Sequence, residues 1–160
     1  MDQMTDIQHR HIGLMQISCQ LLGNVLADVS QEAATTYRDG PDGWTVVEVV
    51  CHLRDFDQFF YDRAVMMLEQ TNPSLPAYDH EALAIERKYN SQNLKTVYAS
   101  LAASRGRFVD FFQGLTAEQW TRMGQHPERD RFNMLDAVMQ VGMHDIGHLE
   151  QITRILNQRR

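Results

Sequence analysis

The sequence predicts an all-α protein, a four-helix bundle, and three observations carry that reading. Apolar residues recur at steps of three and four over four long segments. The four prolines (Pro41, Pro73, Pro76 and Pro127) fall in the three gaps between those segments. No stretch alternates with period two for long enough to be read as a strand, and no internal repeat is present. Four long helices joined by longer second and third connections read as a bundle occupying the whole of residues 1–160 as one domain.

The first helix is expected from about Thr5 to Val29, with Ile7, Leu14, Ile17, Leu21, Val25 and Val29 at helical spacing. The turn-rich RDGPDG follows, Arg38 to Gly43. The second helix has the best-specified start. Thr45 can cap the first free amides, Glu48 can reach back to the Thr45 backbone, and Trp44 stands at the staple position opposite Val49. It should run to about Gln70, before NPSLP breaks it. The third segment, Glu81 to Gln113, is expected to break near Tyr89–Ser91, and TAEQW, Thr116 to Trp120, reads as one capped helical turn. After a polar loop through Pro127, Asn133 caps a last helix from about Met134 to Asn157, with Asp136 in its first turn.

Fifteen Lys and Arg against 21 Asp and Glu give 15 − 21 = −6. That balance argues against a nucleic-acid partner, because binding phosphates needs clustered cations. Only Arg154, Arg159 and Arg160 group together, where they suit the negative end of a terminal helix. The two cysteines, Cys19 and Cys51, form no metal or disulfide pattern and read as buried fillers. MDQMTDIQHR lacks the apolar run of a secretory signal, and no window of 18 apolar residues spans a membrane. A cytoplasmic protein is the expectation.

On the last helix, steps of three and four connect Ala137, Val141, His144, His148, Ile152 and Ile155. Two imidazoles therefore interrupt an apolar stripe, about 6 Å apart at Cβ, a separation at which both can ligate one cation. The alternative is a pair of core histidines satisfied by backbone carbonyls, at the cost of dehydrating both rings. A third ligand should come from another helix, and His52 is the candidate, since its helical neighbours Glu48, Val49, Phe56 and Phe59 are mostly apolar. Three imidazoles and an open position describe a catalytic or exchangeable site, with zinc the default and nickel, cobalt or iron acceptable.

The remaining residues take lesser roles. Asp145 stands where HExxH metalloproteases carry their glutamate, but it is one methylene shorter. It reads instead as bonding a neighbouring helix or holding a ligand imidazole from behind. Gln151, one turn beyond His148, can orient that imidazole or be an ordinary boundary amide. His80 and His126 sit in the two Pro-containing loops, either of which can border a pocket mouth, and His126 is the candidate for touching a ligand there; His9, His11 and His80 receive no ligand assignment. Gly142 and Gly147 each cost this helix roughly 1 kcal/mol relative to Ala, tolerable where something approaches the backbone closely.

GWTVVEVVCHLRDFD, Gly43 to Asp57, followed by HDIGHLEQI, resembles the DinB/YfiT-like four-helix superfamily. Members share a W-[ST]-x-x-E-x-x-x-H-L helix start, matched by Trp44, Thr45, Glu48, His52 and Leu53. They also share an H-D-x-x-H-x-x-Q-I last helix, matched by His144, Asp145, His148, Gln151 and Ile152. The resemblance implies an up-down-down-up bundle, often a homodimer, with one divalent metal, zinc or nickel, on His52, His144 and His148. It implies a metal-dependent transferase that activates a low-molecular-weight thiol for attack on an electrophile. Alternatives are a metal-dependent hydrolase using a coordinated water and a non-catalytic metal- or ligand-binding bundle. The chain departs from the family pattern before the last helix, where GQHPERDRF has no glycine–threonine turn.

Overall fold

The computed structural model describes residues 3–158. Arg159 and Arg160, expected to serve the end of the last helix, lie outside them. Four long helices dominate: α1 (Gln3–Leu26), α3 (Val46–Glu69), α5 (Leu94–Gln113) and α6 (Met134–Asn157). Two short ones, α2 (Gln31–Thr36) and α4 (His80–Glu86), sit in the connections. α1 packs on α5 and α6, and α3 packs on the same two, closing a four-helix bundle.

The helix starts follow from local chemistry. At α3 the Thr45 hydroxyl accepts from the Glu48 amide at 3.3 Å, and the Glu48 carboxylate accepts from the Thr45 amide at 2.7 Å. Asn133 and Asp136 form the same reciprocal pair at α6. The third segment does break near Tyr89. Lys88 adopts φ +50°, Tyr89–Ser91 make a 3₁₀ turn, and Asn93 re-caps α5 by accepting from the Thr96 amide. The TAEQW turn is also 3₁₀, over Gln119–Thr121.

Three expectations are corrected. The first helix ends at Leu26, and Ser30 caps the separate α2. Its buried face is Ile12, Met15, Cys19, Leu22 and Leu26; Ile17 and Leu21, which share the same spacing, point to solvent at 53% and 41% exposure. The polar loop before α6 is a β-hairpin, β1 (Met123–His126) and β2 (Arg129–Asn133), turning at Pro127–Glu128. Strands this short carry too few residues for period two to show. The hairpin holds by burying Phe132 and by Gly124, where an added Cβ would lie 3.0–3.1 Å from Met67 and Leu75.

At Gly142 a side chain of α1 presses close on the α6 backbone, since a Cβ there would fall 2.6 Å from Leu14 Cγ. Gly147 has nothing within 4 Å and no such reason. Among the described residues no helix is long and apolar enough to cross a membrane.

Candidate metal centre

The capping box at Thr45 fixes where α3 begins and sets His52 two turns in, on the side facing α6. The Asn133 cap does the same for α6, with His144 and His148 one turn apart on the apolar stripe formed by the buried Ala137, Val141, Ile152 and Ile155. The three rings converge. Nε2 of His52 lies 3.0 Å from Nε2 of His144, and ring centroids stand 4.6–5.0 Å apart across the trio. One nitrogen from each ring lies within 4.8 Å of the others. Two nitrogens bound at about 2.0–2.1 Å to one tetrahedral ion stand roughly 3.3 Å apart, so the closest pair is already near ligand spacing.

The protonation states suit ligation. Burial, then the neighbouring His144 and His148 rings, pushes His52 down to about 2. Burial, then His148 and Arg105, pushes His144 down to about 3. Burial also lowers His148, outweighing its bond to Gln151. All three rings are neutral at neutral pH, with lone pairs available to a cation.

A chain of hydrogen bonds fixes which nitrogen of His148 is free. Asp39 accepts from Arg154 at 2.9 and 2.8 Å and from the Gln151 amide nitrogen at 3.1 Å. A carboxylate only accepts, so the Gln151 amide nitrogen must face Asp39 and its oxygen must face His148. That oxygen lies 2.7 Å from His148 Nδ1, which therefore carries the proton and leaves Nε2 unprotonated. His52 lacks such support: its Nδ1 is buried with no partner among the described residues, and the ring packs against Trp44 and Phe56, at centroid distances of 5.0 and 4.2 Å.

The other sequence candidates lie elsewhere. Asp145 makes no hydrogen bond to an imidazole; it turns inward to Arg105 and Ser18 and belongs to the neighbouring-helix option. His126 is not among the residues lining the cavity: its Nε2 lies 3.1 Å from Arg63, its Nδ1 accepts from the Glu128 amide, and its ring packs on Phe132. Cys19 and Cys51 are buried, and burial raises both thiols, Cys51 to about 12, so neither is a ready nucleophile.

A cavity of about 440 Å³ opens over the three histidines. Its lining includes four residues that sequence reasoning left out of the site: Asp42, Phe56, Glu81 and His80, the last with its ring 6.0 Å from that of His52. Trp44, read as a staple, is a wall of the same cavity and donates its indole N–H to Glu81 at 3.2 Å. His80 had a legible signal. Asp79 caps α4 by accepting from the Glu81 and Ala82 amides, which turns the DHEA stretch from loop into helix start. A larger groove of about 550 Å³ runs along His9, Ile12 and Trp120 and gathers no comparable cluster.

Residues 18–152 match the family model of the DinB superfamily. YfiT of Bacillus subtilis, named a presumptive metal-dependent hydrolase, is 28% identical over 88% of this chain and 80% of its own length. A protein of Oceanobacillus iheyensis with the same description is 27% identical over the same shares. A solved structure of Bacillus subtilis YfiT superposes with a TM-score of 0.86 at 25% identity, covering 99% of this chain and 89% of that one. A mycothiol-dependent maleylpyruvate isomerase shares the fold, with a TM-score of 0.74 at 13% identity over 94% of this chain and 63% of its own.

Proposed function

The chain belongs to the DinB superfamily, and from that premise we propose that His52, His144 and His148 hold one divalent metal ion, zinc or nickel, in a transferase that joins a low-molecular-weight thiol to an electrophile. The observation that carries this reading is the convergence of three neutral imidazoles, within 4.8 Å of one another, at the floor of a cavity. When bound, the cation lowers the pKa of a coordinated thiol so that thiolate is available at neutral pH.

The chain's own residues supply the rest. Gln151 fixes the tautomer of His148, Trp44 and Phe56 shield His52, and the cavity leaves room for two small reactants beside the rings. Asp145 and His126 act only at a distance in this reading, through the bundle and the hairpin. A second reading, a metal-dependent hydrolase on the same three histidines, is favoured by the description that the Bacillus and Oceanobacillus relatives carry.

The test loads untagged protein with zinc or nickel and follows thiol consumption with monochlorobimane alongside hydrolysis of a nitrophenyl ester. Thiol conjugation that disappears together with the metal in His148→Ala supports the transferase. Ester hydrolysis alone supports the second reading, and metal without either activity supports a binding bundle. We place the protein in a reducing, cytoplasmic setting, where both cysteines stay free. We read the exposed Ile17, Leu21, Met143 and Ile146, on the adjacent helices α1 and α6, as a homodimer surface that sedimentation of Ile17→Glu tests.

A further inference from the structure

We propose that the cavity over the three histidines selects an uncharged, planar electrophile, stacked on its aromatic walls and screened from anionic alternatives by Asp42 and Glu81. This rests on the thiol-transfer reading and specifies the second reactant.

The walls argue for a flat, apolar ligand. Trp44 and Phe56 both pack against the His52 ring, and Phe56 also lies at 27° to the plane of His144, 5.8 Å away. Behind the lining, Phe56 is braced by Tyr78, whose ring lies 6.3 Å from Phe56 and is stacked on Phe59 at 3.8 Å and 5°. Rings at this site favour a conjugated ligand by stacking, and a cavity of about 440 Å³ has room for such a ring beside a low-molecular-weight thiol.

The charges argue against an anion. Among the described residues the lining holds two carboxylates, Asp42 and Glu81, and neither Lys nor Arg. The arginines nearby are engaged: Arg38 with Glu48, Arg87 with Asp55, Arg63 with the Pro76 carbonyl and Arg154 with Asp39. Glu81 is tethered at the rim by the Trp44 indole, so its charge stays beside the stacking surface and is not swept away by rotation. With the proposed cation and its coordinated thiolate counted, 2 − 1 − 2 leaves this lining net negative, so a carboxylate on the incoming ring meets like charge without a guanidinium to receive it, an unfavourable encounter of roughly tenfold in affinity.

The reaction on such a ligand balances simply. The thiol sulfur forms a bond to an activated ring carbon, the carbon–chlorine bond of a chloroarene breaks, chloride leaves with the bonding pair, and the thiol proton passes to solvent. The co-reactant is the low-molecular-weight thiol already proposed.

Two matched probe pairs test the inference. Binding is read on metal-free protein by quenching of Trp44 fluorescence in a Trp120→Phe background, with unreactive 1,3-dinitrobenzene against 3,5-dinitrobenzoate. Turnover is read on metal-loaded protein with 2-mercaptoethanol and either 1-chloro-2,4-dinitrobenzene or 4-chloro-3,5-dinitrobenzoate, each rate divided by its uncatalysed rate. The neutral probe should bind at least tenfold tighter and be accelerated more. Asp42→Asn with Glu81→Gln, which keeps an acceptor for the indole, should bring the two probes within about threefold. Equal binding of both probes, or a preference that survives neutralising both carboxylates, overturns the inference. Selective binding without turnover of either chloroarene upholds the cavity's selectivity and sinks the thiol-transfer reading instead.

Discussion

Arg105 grips both carboxylate oxygens of Asp145, Nη1 to Oδ2 at 2.5 Å and Nη2 to Oδ1 at 3.0 Å, with all of these atoms in the interior. The same guanidinium donates through Nε to Asp57 at 2.6 Å and through Nη1 to the Met15 carbonyl at 2.8 Å. One side chain of α5 thus ties α1, α3 and α6 together, and Asp145 is the residue next to His144. The two carboxylates hold the guanidinium charged, well above its ordinary pKa range, against the opposing effect of burial. Arg105→Met should therefore cost about 3–5 kcal/mol, because it strands two buried carboxylates. Urea unfolding of the metal-free protein measures it. A loss under 1 kcal/mol means the cluster is solvated in solution.

Gln151 offers a separable effect. Its amide links His148 Nδ1 to Asp39 near the surface, so Gln151→Leu removes the acceptor that fixes the ring without opening the core. Metal affinity should fall about 10- to 100-fold while the unfolding midpoint stays nearly constant. Competition with a coloured chelator gives the affinity. Unchanged affinity would show that packing alone orients His148.

Much of this was legible in the sequence, for identifiable reasons. The capping box at Thr45 and the Asn133 cap are local, and local chemistry survives folding unchanged; the return bond from Asp136, read only as a first-turn acid, completes a second box. The trio was legible because imidazoles at His144 and His148 conflict with the apolar stripe that carries them. The face of α1 was not, because Ile17 and Leu21 offer the same period as Met15, Cys19 and Leu22, and only the position of α6 decides between them. Asp39 and Asp42 on a loop, and Glu81 on the short α4, reach the site through the connections between the long helices, whose placement no periodicity encodes. Asp145 shares the motif with the two histidines yet points to Arg105, a partner 40 residues away in the chain.

Gly142 and Gly147 look alike in sequence and should behave oppositely. A methyl at Gly142 meets Leu14 at 2.6 Å, so Gly142→Ala should destabilise by about 1–3 kcal/mol despite better helix propensity. Leu14→Ala in the same chain should recover part of that loss, as coupled neighbours do. At Gly147 the space is open, and alanine should stabilise by about 0.5–1 kcal/mol. Thermal unfolding of the three variants decides. Equal effects at both glycines would mean that α1 and α6 do not approach as closely as Leu14 and Gly142 indicate.

Asp55 should dominate one limb of the stability–pH curve. Burial alone would raise its pKa. Hydrogen bonds from Arg54 and Arg87 at 2.7 Å and from the Tyr89 hydroxyl at 2.6 Å prevail, and the carboxyl sits below its ordinary value. A folded pKa below the unfolded value of about 3.9 means the folded state holds its proton less tightly. The stabilisation is therefore complete above that unfolded value and is lost as pH falls through the lower, folded one. Asp55→Asn should cost about 1–3 kcal/mol at neutral pH, where charge-assisted bonds are replaced by neutral ones. It should also flatten the acid limb, so that variant and parent converge once the pH drops below the folded pKa of Asp55. Chemical denaturation at a series of pH values tests this. A constant difference between the two curves down to the acid extreme would show that Asp55 is not ionised in the folded protein, and the triad of Arg54, Arg87 and Tyr89 would then be holding a neutral acid.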